Sequence, residues 1–192
     1  VDDAYAMRPE ALEYAIQADL AQGRVPAAVV ATTGTTGSTA LDPLRPIGEI
    51  CRRHGAWLHV DASYAGTAAI LPEKRWILDG VEYADSFVFN PHKWMLVNFD
   101  CSAYFVKDVD ALRRTFSASP EYLRTAHDAE VVNYRDWGIQ LWRRVRSLKL
   151  WCVIKSYGVE GIQAIIRRHC AWAQQVAGWV AADARFEVLA TV

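Results

Sequence analysis

The chain has 192 residues, 52% of them hydrophobic, and a net charge of −1. It is long enough for one sizeable core and lacks the overall field of a nucleic-acid-binding protein. Four widely spaced cysteines without a CxxC pair argue against a disulfide framework or a metal site. We therefore expect a cytoplasmic protein with neither nucleic-acid nor membrane partners.

The two ends suggest a piece of a longer protein. The sequence starts at Val1 without an initiator methionine, and its last residues, 186–192, resemble the beginning of a strand. We expect a fragment.

The first third alternates between helical and strand patterns. Apolar residues at helical spacing predict a helix over 9–22. The apolar run 26–32 predicts a short strand buried on both faces. Asp42 is expected to cap a second helix that begins at Pro43 and stops at Gly55.

Three further strands are predicted, over 56–61, 86–90 and 101–107. The last of these follows its predecessor too closely for a crossover helix, so we expect it to pair antiparallel. Together the strands and helices indicate an α/β layer with a mostly parallel sheet.

The second half is mostly helical from residue 108 onward. The segment 117–133 has no sustained period and is predicted as a loop, of a length that is often functional. Two long helices, 134–157 and 159–182, are expected on either side of Gly158.

Three polar residues follow the ends of predicted parallel strands, where α/β sheets bind ligands. These are Thr36, Asp61 and Lys93. At a strand end, flanking by His92 and Trp94 is expected to bury Lys93 partly and favour the neutral amine, the nucleophile that forms a Schiff base with an aldehyde. A carboxylate such as Asp61 can keep a cofactor ring nitrogen protonated, which makes the ring an electron sink.

Each of these residues also has an ordinary interpretation. Taken alone, Lys93 is a surface lysine, Asp61 braces a loop, Thr36 satisfies loop backbone groups and His59 is a core histidine. The longer pattern around Lys93 and Asp61 favours function for those two.

Several segments together resemble the group II pyridoxal-phosphate-dependent decarboxylases. The segments are ATTGTT from Ala31, LHVDASYAG from Leu58, DSFVFNPHKW from Asp85, LVNFDCSA from Leu96, YRDW from Tyr134 and RSLK from Arg146. They resemble the branch acting on aromatic amino acids and histidine more than the glutamate branch. The resemblance covers essentially the whole chain.

The resemblance implies a fold-type I domain. Residues 1–150 would be the C-terminal part of the large cofactor domain, and residues 151–192 would begin the small C-terminal domain. The full-length protein would be a homodimer.

The resemblance also assigns roles around pyridoxal 5'-phosphate. Lys93 would hold the cofactor aldehyde and Asp61 would pair with the pyridinium nitrogen. Thr36 would contact the cofactor or the substrate end of the site. Ser63 would lie under the ring, where the family usually has Ala.

Further assignments concern the phosphate and the catalytic loop. Asn90 and His92 would lie near the phosphate and the floor of the site, with His92 also catalytic. Tyr122 matches the tyrosine of the family's mobile loop, which protonates the carbanion after carbon dioxide leaves. Relatives with Phe there tend to be aldehyde synthases, so Tyr122 favours amine formation, although the loop is about two residues shorter than in animal relatives.

Trp142 departs from the family pattern, which usually has Gly or Ser at this place in the substrate pocket. An indole there would leave less room for a large ring, or Trp142 would pack in an interface instead.

The expected activity is α-decarboxylation of an L-amino acid, with an aromatic side chain, to the amine and carbon dioxide. One alternative is an aldehyde synthase on the same scaffold. Another is a truncated chain, inactive by itself because the family's phosphate-cradling segment and cofactor-stacking histidine lie upstream of it.

Overall fold

A four-stranded mixed sheet organises the part of the chain, residues 1–117 and 131–190, that the computed structural model describes. The strands lie in the order of the sequence: β1 (Ala28–Thr32), β2 (Trp57–Asp61), β3 (Ser86–Phe89) and β4 (Ala103–Val106). β1, β2 and β3 are parallel, and β4 is antiparallel to β3. Both the mostly parallel sheet and its antiparallel fourth strand are confirmed.

Helices connect and flank the strands. They are α1 (Pro9–Ala21), α2 (Leu44–His54), the single turn α3 (Pro91–Trp94), α4 (Val109–Phe116) and the long α5 (Arg146–Ala181). The crossover from β2 to β3 is made of three 3₁₀ segments, Ala65–Ile70, Pro72–Leu78 and Val81–Tyr83. None of the helices in the described ranges is long and apolar enough to cross a membrane.

One face of the sheet carries the main core. Val29, Ala31, Leu58 and Val60 point to that face and pack with α2. The other face is open among the described residues, and Val30 is 55% exposed there. The expectation that β1 is buried on both faces is therefore wrong for this part of the chain, because its alternate residues have no described layer to pack against.

Asp42 does not cap α2, contrary to the sequence prediction. The helix begins one residue later than predicted, at Leu44, without a side-chain cap. The Asp42 carboxylate instead accepts hydrogen bonds from the backbone N–H of Met7 and of Thr32, both at 2.7 Å. It thereby fastens the N-terminal segment to the end of β1. Gly55 ends α2 as predicted, in the left-handed conformation (φ 67°).

The long helices of the second half differ in extent from the prediction. Tyr134–Trp137 forms only a 3₁₀ turn, and α5 starts at Arg146 because extended backbone at Gly138 interrupts the helical pattern. The predicted break at Gly158 is confirmed, since its φ of 66° and ψ of 171° are not helical.

α5 packs on the crossover between β2 and β3. Ile162 and Ile166 are fully buried against Leu71. The guanidinium of Arg167 binds Glu73 at 2.6 Å and, with a backbone hydrogen bond, holds the pKa of that carboxyl at about 2.

The loop between α3 and β4 is tied to the start of α5. The carboxylate of Asp100 binds the guanidinium groups of Arg144 and Arg146. Lys149 Nζ donates to the carbonyl of Asn98 at 2.8 Å. These contacts fix the segment that leads away from Lys93.

Replacing Asp42 by Ala should destabilise the protein, because two partly buried N–H groups lose their acceptor. We expect the free energy of unfolding of the full-length protein to fall by about 3 kcal/mol. Asp42→Asn, which retains one oxygen acceptor, should lose about half as much. Urea denaturation followed by tryptophan fluorescence measures both. Asp110→Ala is the control, since its carboxylate is mostly exposed, and a shift no larger than that of this control would contradict the prediction.

Acid should weaken the Asp100 contacts. The hydrogen bond from Arg146, with the charges of Arg146 and Arg144, lowers the pKa of Asp100 from 3.8 to about 2, against the opposing effect of burial. Because the folded state has the lower pKa, the contribution of Asp100 to stability is complete above about pH 4 and is lost as the pH falls through 2.

Asp100→Asn should therefore lose less stability than the wild type between these two pH values. Denaturation midpoints measured across the acid range test this, with Asp110→Asn as a control expected to follow the wild-type slope. If the denaturation midpoints of Asp100→Asn and the wild type fall in parallel as the pH is lowered, Asp100 does not cause the loss of stability in acid.

Candidate active site

Asp61 lies at the carboxyl end of β2, between two parallel neighbours. In the register Thr32 pairs with Asp61, and Asp61 pairs with Val88. Its Oδ1 accepts two hydrogen bonds from Ser63, one from the backbone N–H at 2.9 Å and one from the hydroxyl. Oδ2 has no hydrogen-bond partner within the described ranges. Ser63 thus orients the carboxylate and leaves one oxygen available.

Lys93 lies in α3, immediately after β3. Pro91 at the first helical position starts this turn, and the Lys93 N–H donates to the carbonyl of Asn90 at 2.9 Å. The Lys93 side chain is exposed and has no hydrogen-bond or ion-pair partner among residues 1–117 and 131–190.

The predicted partial burial of Lys93 is not provided by its neighbours. The Trp94 ring stacks on Tyr64 at 5.0 Å, and its Nε1 donates to Nδ1 of His169 at 3.0 Å. His92 turns towards Cys101. Because both flanking rings have partners of their own, they do not cover the Lys93 side chain.

His92 is fixed by the backbone of Cys101. Its Nδ1 lies 2.7 Å from the carbonyl oxygen and 3.0 Å from the nitrogen of that residue. The backbone N–H of Cys101 can only donate, so Nδ1 accepts in the second contact, whereas its role in the contact with the carbonyl depends on the tautomer. The ring also meets the edge of Phe99 at 4.9 Å between centroids.

Asn90 links the loops after β2 and β3. Its N–H donates to the carbonyl of Ser63 at 3.0 Å, and its Oδ1 accepts the hydroxyl of Ser102 at 2.5 Å. Ser102 was not singled out from the sequence. Its position could have been predicted, because an antiparallel β4 that pairs Phe89 with Ala103 places Ser102 beside Asn90.

Thr36 lies in the loop after β1. Gly34 (φ 81°) brings this loop against the segment that follows Asp61, and a Cβ at Gly34 would lie 2.5 Å from Cβ of Ala65. The loop is closed by Thr35, whose hydroxyl contacts that of Ser38 at 2.8 Å. The Thr36 side chain is exposed and takes no part in this closure.

The structure therefore brings most of the predicted residues to one edge of the sheet. Thr36, Asp61 and Lys93 follow three adjacent parallel strands, and Asn90 and Ser63 are joined by a backbone hydrogen bond. Trp142 is not packed into this edge and is 87% exposed. Tyr122 lies outside the described residues.

A free primary amine and a free carboxylate oxygen at one sheet edge suit a cofactor that carries an aldehyde and a basic ring nitrogen. Pyridoxal phosphate has both groups, so the residues present fit it: Lys93 for the aldehyde and Asp61 for the ring nitrogen. In the part of the chain described, no group of three or more His, Cys, Asp or Glu side chains could hold a metal ion.

Known proteins resemble the chain over its whole length. It is 51% identical over 191 residues to the aromatic-L-amino-acid decarboxylase of Drosophila lebanonensis, covering 100% of this chain and 47% of that protein. The crystal structure of Oryza sativa TDC with PLP and tryptamine superposes with a TM-score of 0.95 at 42% identity, over 99% of this chain and 39% of that one.

A solved aldehyde synthase is also similar. The 4-hydroxyphenylacetaldehyde synthase of Rhodiola rosea has a TM-score of 0.89 and 38% identity, over 99% of this chain and 38% of that one. The chain thus spans less than half the length of each of these proteins. The model of the pyridoxal-dependent decarboxylase conserved domain matches residues 1–192. The chain belongs to the pyridoxal-dependent decarboxylase family.

Proposed function

We propose that the full-length protein uses pyridoxal 5'-phosphate to decarboxylate an aromatic L-amino acid, releasing the amine and carbon dioxide. The observation that carries the proposal is a pair of groups at one sheet edge that have no partner within residues 1–117 and 131–190, the Lys93 amine and the second carboxylate oxygen of Asp61. The decarboxylase and TDC relatives support the reaction and the aromatic class of substrate.

Four residues of the chain would act directly on the cofactor or the substrate. When bound, the cofactor supplies an electron sink for the electrons of the bond that breaks. Asp61 would pair with the ring nitrogen of the cofactor, and Lys93 would bind its aldehyde. His92 would transfer a proton next to Lys93. Tyr122 would supply a proton to the substrate carbon.

The remaining assigned residues position the cofactor. Asn90 and Ser63 lie in the two joined loops and would contact its phosphate side and its ring face. Thr36 has an exposed hydroxyl at the same edge and would contact the cofactor or the substrate. Selection of the carboxylate as leaving group would depend on how these residues hold the substrate, which is a positioning effect.

The aldehyde synthase remains the second candidate, because a solved aldehyde synthase shares this fold. It would consume dioxygen and water and release the aldehyde, ammonia and hydrogen peroxide together with carbon dioxide. Tyr122 favours simple amine formation. Measuring peroxide together with amine decides between the two.

We further propose a cytoplasmic homodimer for the full-length protein. Several large aromatic side chains of α5 are exposed, among them Trp151, Trp172 and Trp179. Such surfaces are often covered in an assembly. The inactivity of the 192 residues by themselves stays a prediction.

Lys93→Ala should abolish the reaction of the full-length protein. Without the amine no link to the cofactor aldehyde can form, so we expect a loss of activity of at least about 1000-fold and loss of the absorbance of the linked cofactor. Amine release and the visible spectrum measure these. Lys155→Ala, an exposed lysine of α5, is the control, and a Lys93→Ala protein as active as this control would refute the proposal.

Trp142→Gly should widen the range of substrates if the indole narrows the substrate pocket. We expect kcat/KM for tryptophan to rise about tenfold relative to that for smaller aromatic amino acids and histidine. A substrate panel on the wild type and the variant measures this ratio, with Trp76→Gly as an exposed tryptophan control. A wild-type enzyme that already prefers tryptophan, or a ratio unchanged in Trp142→Gly, would show that Trp142 does not limit the pocket.

A further inference from the structure

We infer that His59 is a positioning residue for Asp61, held as a neutral imidazole with its proton on Nε2. This inference rests on the proposed function, since it concerns the acid that pairs with the cofactor nitrogen. From the sequence alone His59 is an ordinary core histidine, and the structure adds three observations.

The first observation is the place of His59 in the sheet. The register pairs Val30 with His59 and His59 with Ser86, two rows before the row that contains Asp61. Alternate residues of a strand share a face, so His59 and Asp61 lie on the same face, roughly 6.6 Å apart along the strand. This is the face that the described residues leave open.

The second observation is the hydrogen bonding that holds the imidazole ring of His59. The hydroxyl of Ser86 lies 2.8 Å from Nδ1 of His59 and 2.9 Å from Nε1 of Trp57. An indole nitrogen can only donate, so Ser86 accepts from Trp57. Ser86 is buried, and Nδ1 is the acceptor that the described residues offer to its hydroxyl hydrogen. Ser86 therefore donates to Nδ1, and the proton of the neutral ring lies on Nε2.

A protonated ring would break this arrangement. It would carry hydrogen on both nitrogens, and the buried Ser86 hydroxyl would then face two donors and lose its own acceptor. The arrangement thus opposes the charged form of His59.

The third observation concerns the surroundings of the ring. Burial lowers the pKa of His59, and the nearby charge of Asp61 opposes this effect without overcoming it. Tyr104 of β4 stacks on the ring, with centroids 6.2 Å apart. The described groups in direct contact with the ring are thus a hydroxyl and a phenol.

A neutral His59 preserves the charge of Asp61 for the cofactor. A cationic imidazole on the same face would pair with the carboxylate and compete with the pyridinium nitrogen. The neutral form instead leaves an uncharged N–H on this face, which does not neutralise the carboxylate.

The test compares His59→Leu and His59→Gln in the full-length protein. Gln keeps an N–H near the position of Nε2, whereas Leu has none. We expect His59→Leu to weaken the binding of pyridoxal phosphate about tenfold and His59→Gln to change it by less than about threefold. The control is His54→Gln, because His54 is paired with Glu13 on α1, away from the site.

Two spectroscopic measurements separate positioning from a merely structural role. With isotope-labelled cofactor, the NMR shift of the ring nitrogen should move towards the unprotonated value in His59→Leu and stay in the wild-type range in His59→Gln. In the wild type, nitrogen NMR of His59 should show the Nε2–H form at neutral pH, and this holds even if His59→Leu does not fold.

Unchanged cofactor affinity and ring-nitrogen shift in His59→Leu, or a His59 ring found as Nδ1–H or as the cation, would overturn the inference. These outcomes leave the proposed function intact as long as Lys93→Ala abolishes the cofactor linkage. If the cofactor absorbance is the same in the wild type and in Lys93→Ala, both this inference and the proposed function are overturned.

Discussion

The parallel register of β1, β2 and β3 is the constraint on which the site depends. Thr32, Asp61 and Val88 form one row of paired residues, so the three strands end together. Every loop that follows a parallel strand must then leave at the same edge. Residues far apart in the sequence, such as Thr36 and Lys93, lie at the same edge because the strands before them are paired. They do not depend on a contact with each other.

Backbone hydrogen bonds carry this register into the loops. The N–H of Thr33 donates to the carbonyl of Asp61 at 2.8 Å, and the N–H of Ala62 donates to the carbonyl of Val88 at 2.9 Å. One step further, Asn90 binds the carbonyl of Ser63. The loops are therefore continuations of the sheet, which is how Asp61 and the turn that bears Lys93 keep a fixed relation.

Much of this edge could be predicted from the sequence, because short apolar runs followed by polar residues mark the ends of parallel strands. The positions of Asp61 and Lys93 were predicted in this way, whereas their cofactor roles came from the resemblance to the decarboxylase family; the antiparallel β4 followed from the shortness of its connection. These are local signals. They do not depend on which residues lie opposite in space.

What the sequence did not reveal depends on contacts between distant segments. Asp42 has the spacing of a helix cap, yet its carboxylate binds the N–H groups of Met7 and Thr32. Ser86 looks like an ordinary strand residue until the register places it opposite His59. The expected covering of Lys93 failed for the same reason, since Trp94 has a distant partner in His169.

The exposure of Lys93 bears on the proposed reaction of the full-length protein, because the amine needs shielding from water. A lysine reacts as a nucleophile only when it loses its proton, and loss of solvation favours that state. The described residues place the Lys93 amine but do not shield it from water. His59, in contrast, has partners among the described residues, because the Ser86 hydroxyl, itself bound by Trp57, contacts its ring and Tyr104 stacks on it. In the proposed function, this part of the chain would therefore set the positions of the amine and of the acid, whereas the bound cofactor and other parts of the full-length protein would exclude water from the amine.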